Sequence, residues 1–84
     1  MKYLVTYDLN KTGQDYDGLY KAIKSYPYVH PMQSVWFIKT AQSASQISKN
    51  LMRHIDNNDS LFICEVTQNR DGWMDKGAWT FLGS

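Results

Sequence analysis

The side chain best placed to do chemistry in this sequence is Asp8. It closes a run, Tyr3-Leu-Val-Thr-Tyr7, that is dense in β-branched and aromatic residues, and a polar loop, Asn10-Lys11-Thr12-Gly13, follows it. A carboxylate at the end of a strand has two uses. It can hold a hard cation such as Mg²⁺, which binds through one or two carboxylates while keeping several waters, and whose bound water then becomes a nucleophile. It can also accept backbone hydrogen bonds from the loop, as in an Asx turn, and simply end the strand. No second carboxylate lies close to Asp8 in the chain, so a carboxylate pair requires a second copy of Asp8 across a twofold axis.

Other polar residues have plainer readings. His30 has the intrinsic pKa of a general acid or base, but beside Pro31 it reads as a surface histidine. His54, at the end of a helical stretch, is explained by the helix dipole. Asp56-Asn57-Asn58-Asp59 is acidic enough for calcium, yet it lacks the required spacing and closing glutamate, so it reads as a helix-to-strand turn. Glu65 alternates with Leu61 and Ile63 on an otherwise apolar face and is expected either to line a pocket or to pair with a cation, Lys2 or Lys39. Trp36, Trp73 and Trp79 could stack on bases or fill the core and an interface. No glycine-rich phosphate loop, zinc spacing or Ser-His-Asp arrangement is present. The lone Cys64 cannot form an internal disulfide and is expected to be a small buried residue in a reducing compartment.

These residues must be positioned by the elements around them. The first strand spans about Lys2 to Leu9. Asp15 is a plausible N-cap for a helix whose apolar stripe is Tyr16, Leu19, Tyr20, Ile23 and Tyr26, stopped by Pro27. Tyr28 to Met32 reads as a short edge strand interrupted by Pro31. Ser34 to Thr40 is a strand with Val35, Phe37 and Lys39 on one face and Ser34, Trp36, Ile38 and Thr40 on the other. Ser43 and Gln46 fit a capping box, and the stripe Ala44, Ile47, Leu51 and Ile55 marks the second helix. Ser60 to Thr67 is the last long strand. Beyond it, Trp73, Met74, Trp79, Phe81 and Leu82 suggest a tail docked through its aromatics. The order β-α-β-β-α-β predicts a ferredoxin-like α+β sandwich, with two helices on one face of an antiparallel sheet. The first and last long strands are then expected side by side in the sheet centre, with the other face open to a partner.

At 84 residues the chain is one domain, 1–84, near the lower size limit for folding without staples. Its 3 Trp, 6 Tyr and 3 Phe supply large side chains for a small core, and such aromatic richness favours burying some of them in a homodimer. A net charge of +1 excludes a global basic field for nucleic acid, leaving at most a local patch of Lys11, Lys21, Lys24 and Lys39. No apolar stretch reaches membrane-spanning length and no signal-peptide pattern opens the chain. A soluble cytoplasmic protein without a membrane partner is expected.

Three segments, Tyr-Leu-Val-Thr-Tyr-Asp-Leu at 3–9, Gln-Ser-Val-Trp-Phe-Ile-Lys-Thr at 33–40 and Ile-Asp-Asn-Asn-Asp-Ser-Leu-Phe-Ile at 55–63, resemble the Cas2-like superfamily. That superfamily includes the CRISPR-associated Cas2 proteins and VapD-type toxins, and the small SinR-like proteins are more similar still. The resemblance implies a homodimer in which Asp8 meets its dimer mate, and the pair holds Mg²⁺ for phosphodiester cleavage of RNA or DNA. Asn10, Lys11, His30, Ser34 and Trp36 are the candidate ligand-binding residues around it. The alternative is a non-catalytic binding module, of phage or mobile-element type, that captures a nucleotide, nucleic acid or partner protein at the dimer interface.

Overall fold

Strand alternation in the first eight residues divides the molecule into two faces. The computed structural model describes residues 1–10 and 16–84. Its elements are β1 (Lys2–Asp8), α1 (Asp17–Lys24), β2 (Tyr28–Met32), β3 (Val35–Lys39), α2 (Ala44–Met52), β4 (Ser60–Val66) and α3 (Lys76–Gly83). Asp15, expected to cap the first helix, and Lys11 lie outside the described residues. The strands form one antiparallel sheet in the order β2-β3-β1-β4, the ferredoxin-like arrangement with a third helix added.

Tyr3 and Val5 of β1, with Trp36 and Ile38 of β3, face α1 and α2. Their buried partners are Leu19 and Ile23 from α1 and Ile47 and Leu51 from α2. These helix positions recur at the 3.6-residue period, which is why two short helices can each bury a stripe. The α2 start is fixed by reciprocal bonds: Gln46 N–H donates to Ser43 Oγ at 3.2 Å, and Ser43 N–H donates to Gln46 Oε1 at 2.9 Å. Ile55 lies beyond the end of α2 but still packs against the same core. Between the helices, a Cβ added to Gly18 would come within 2.9 Å of His54 Nδ1. Glycine there admits the imidazole against α1.

The sheet differs from expectation at its edges. β1 does pair with β4, but the central strands are β1 and β3, and β4 is an edge. Pairing with β1 uses only one side of β4. The irregularity in β2 falls between Val29 and Met32, where Pro31 has no N–H to offer the ladder. The register also removes the expected pairing of Glu65. It stands opposite Tyr3, whereas Lys2 stands opposite Lys39 and Val66, one residue out of step and so on the other face. Glu65 is exposed.

The second face is not left bare by the chain itself. α3 packs against β2, its N-terminus capped by Asp75, whose Oδ1 accepts from Ala78 N–H at 3.0 Å. Ala78, Leu82 and Phe37 are buried there, and Lys2 Nζ donates to the Ser84 carbonyl. The docking residues are therefore small and aliphatic as well as aromatic. Trp73, expected to dock, is 99% exposed. A cavity of about 730 Å³ separates Leu4, Phe37 and Cys64 from the 69–74 segment and Trp79. Cys64 is half-buried rather than buried.

Candidate functional site

Asp8 is the last residue of β1, opposite Ser60 on β4, and it is exposed. Among the described residues no hydrogen bond to its carboxylate is formed. The loop ends are held by a different acid. Asp59 Oδ1 accepts from Asn10 N–H at 2.8 Å, Asp59 Oδ2 accepts from Asp56 N–H at 2.8 Å, and Tyr16 Oη lies 2.9 and 3.0 Å from the two oxygens. Asn10 Nδ2 also donates to the Asn58 carbonyl at 2.8 Å. The turn at 56–59, read from sequence as a connection, thus closes the two flanks of the 11–15 segment and leaves Asp8 out of the bonding.

Two concavities meet at Asp8. One, of about 300 Å³, has Tyr7, Leu9, Tyr20, Gln33 and Ser34 around it. The other, of about 410 Å³, lies over β4 and includes Thr6, Leu61 and Phe62. The first continues into a smaller cleft of about 190 Å³ through the shared residues Tyr7, Tyr20 and Gln33, reaching Lys24, His30 and Trp36. The structure therefore brings Asp8, Ser34, His30 and Trp36 around one continuous depression. Asn10 is placed apart, bonded to the 58–59 turn.

The floor of this depression is an aromatic assembly. His30 stacks on Trp36 with ring centroids 3.6 Å apart and planes 10° from parallel. Tyr20 and Tyr28 flank the same indole at 6.4 and 5.4 Å, and Tyr7 lies 6.2 Å from Tyr20. Trp36 Nε1–H donates to Tyr7 Oη at 3.0 Å, and Tyr7 Oη–H donates to the Gln33 carbonyl at 3.4 Å. His30 Nε2 lies 3.0 Å from that same carbonyl, so Nε2 carries a proton, because a carbonyl only accepts. Burial pushes the Tyr7 hydroxyl above its ordinary pKa; the bond from Trp36 opposes this and neighbouring Tyr20 adds to it. Trp36 is 2% exposed, so it supports the cleft from beneath and offers no open stacking face. Tyr7, Tyr20 and Gln33 are not among the candidate site residues that the sequence offers, and Lys24 enters there only as part of a possible basic patch. Tyr7 was visible as the neighbour of Asp8 and Tyr20 as part of a helical stripe, but nothing local joins them to Gln33.

Among the described residues, no three His, Cys, Asp or Glu side chains gather into a metal site. One exposed, unbonded carboxylate does suit a hard cation that keeps most of its waters. A paired site needs a second protomer. The expected lysine patch is divided: Lys21 and Lys24 lie on α1, whereas Lys39 shares a face with Val35 and Phe37. Among the described residues no helix is long and apolar enough to cross a membrane.

Fold and site together define a small ferredoxin-like α+β protein whose first strand ends in an open carboxylate. Within that class, the model for the family CRISPR associated protein Cas2 matches residues 1–74, and the chain belongs to this family. Among solved structures, a hypothetical protein from Thermus thermophilus is similar in fold, with a TM-score of 0.65 and 22% identity over 88% of this chain and 93% of that one. Cas2 from Streptococcus pyogenes, crystallised at pH 6.5, is similar with a TM-score of 0.54 and 27% identity, over 82% of this chain and 89% of that one. No curated protein matches the sequence.

Proposed function

We propose that the chain acts as a homodimeric, Mg²⁺-dependent phosphodiesterase on RNA or DNA, with Asp8 from each protomer holding the cation. The observation that carries this reading is the state of Asp8: exposed at the end of β1, free of hydrogen bonds among the described residues, and open to two concavities. When bound, a divalent cation would neutralise phosphoryl charge and make water a competent nucleophile at neutral pH. The chain's own residues supply the anchoring carboxylate and, at Lys24, a cation at the far end of the depression for a neighbouring phosphate.

Asp8→Ala should abolish Mg²⁺-dependent cleavage of single-stranded and duplex substrates while leaving the melting temperature within a few degrees, since the removed group is exposed. Cleavage by the variant at the native rate would remove the reading. A second reading is a binding module that captures a nucleotide, nucleic acid or protein between protomers. It is supported by Phe62, 60% exposed beside Asp8. Native chain that binds nucleic acid across Mg²⁺ and Mn²⁺ without cutting it would select this second reading.

A further inference from the structure

No neighbour holds the Asp8 carboxylate, which accepts no hydrogen bond among the described residues. Its place therefore depends on the backbone that carries it, and that backbone is gripped from one side only. The ladder between β1 and β3 stops at Thr6 opposite Val35, whereas the ladder between β1 and β4 runs on to Asp8 opposite Ser60. The last position of a ladder, held by an edge strand alone, is where a sheet frays. We infer that Asp59, the residue preceding Ser60, is a positioning residue for Asp8. Its carboxylate carries the pairing of β1 past the end of the ladder and so keeps the Asp8 side chain in place for a cation. This deepens the proposed hydrolytic function and rests on it.

Three observations support the assignment. Continued beyond Asp8 and Ser60, the antiparallel register sets Asn10 opposite Asn58. β4 has not begun there, because the chain is still turning, with Asp59 N–H donating to the Asp56 carbonyl at 3.0 Å. Side chains supply the missing bonds instead: Asp59 Oδ1 accepts from Asn10 N–H, and Asn10 Nδ2 donates to the Asn58 carbonyl, both at 2.8 Å. Asp8 thus stands inside a paired stretch and not at its end. Next, the Asp59 carboxylate is itself immobilised. Its Oδ2 accepts from Asp56 N–H at 2.8 Å, and the Tyr16 hydroxyl lies 2.9 and 3.0 Å from the two oxygens. Asn10 is therefore bonded to a fixed acceptor. Finally, the acceptor is charged, and a backbone N–H bonded to a carboxylate is held roughly twice as strongly as one bonded to a neutral carbonyl. One side chain can then replace a ladder bond that the turning backbone does not offer.

The test reads the position of Asp8 apart from cleavage. In ¹⁵N relaxation of the native chain without metal, the amides of Asp8, Leu9 and Asn10 should be rigid, with order parameters of about 0.85. Asp59→Ala should lower them below about 0.6. A Mn²⁺ titration followed by electron paramagnetic resonance should show a site that Asp8→Ala removes and that Asp59→Ala weakens by about 10–100-fold. Asn10→Ala deletes only the exposed bond to Asn58 and keeps the test open if Asp59→Ala unfolds. It should shift both readouts the same way, by less. Ser43→Ala is the control for lost stability. It weakens the start of α2, just beyond Thr40, whose N–H bonds Met1 at the opposite end of β1, and it should move neither readout. Native rigidity at 8–10 or native Mn²⁺ affinity in both clasp variants overturns the assignment, as does an equal loss in Ser43→Ala. If Asp8→Ala stops cleavage while both clasp variants match the native chain, Asp59 is structural only and the hydrolytic reading stands. If the native chain binds no Mn²⁺, the hydrolytic reading fails, and the relaxation data alone decide whether Asp59 positions Asp8.

Discussion

Tyr7 and Asp8 are consecutive at the end of β1 and border the same two concavities. Tyr7 completes an aromatic floor, whereas Asp8 stays in water at the strand end. On this division Tyr7 serves the fold, and Asp8 is the residue that the proposed chemistry would use. Tyr7→Phe would leave the Trp36 indole N–H, in a side chain 2% exposed, without its acceptor. The expected cost is about 1–3 kcal/mol, read from urea unfolding. The same hydroxyl gives the protein an alkaline limit. Its folded pKa is raised, so the unfolded chain releases the proton first. The stability it contributes is full below about pH 10 and is lost as pH rises through the folded value. Melting temperatures between pH 8 and 11 should therefore fall more steeply for the native chain than for Tyr7→Phe. At this scale the sequence made Asp8, His30, Ser34 and Trp36 legible as residue types. It did not reveal that His30 would stack on Trp36, or that one carbonyl, Gln33, would accept from both Tyr7 and His30, because those contacts arise from strand pairing and hairpin shape.

Elements whose signals are periodic were legible, and those set by tertiary contact were not. β1, α1, β3, α2 and β4 follow from alternation or from helical stripes, and the Ser43–Gln46 box marks the start of α2 to the residue. Ser43→Ala should cost about 1 kcal/mol in denaturant unfolding. α3 was harder to read because Gly77, Thr80 and Gly83 dilute its helix propensity; its cap, Asp75, was the available signal. Likewise, strand alternation identifies the two faces of β4 but does not determine whether the strand is central or at an edge. Gly18 gives a sharper test of helix packing. Alanine is better than glycine in a helix by about 1 kcal/mol, but its methyl would meet His54 Nδ1. Gly18→Ala should therefore lose stability in the native chain and gain about 1 kcal/mol in a His54→Ala background. A gain of equal size in both backgrounds would remove the packing argument.

For the whole molecule, the sheet order leaves β4 at an edge and Phe62 exposed beside Asp8, while α3 protects the β2–β3 half of the same face. Any twofold pairing of Asp8 must therefore use the β1–β4 side. Sedimentation should give the mass of two chains at micromolar concentration. Phe62→Asp, which places a charge in that contact, should return it to one. Mg²⁺-dependent cleavage should fall with it. The Asp59 clasp has a different consequence. By bonding Asn10 and Tyr16, it brings together the two ends of the connection that follows Asp8, so closure of that connection is already secured by the folded body. One carboxylate thus ties together three stretches remote in sequence, the residues just after β1, the residue that opens α1 and the turn before β4, so that its loss would be felt in all three at once.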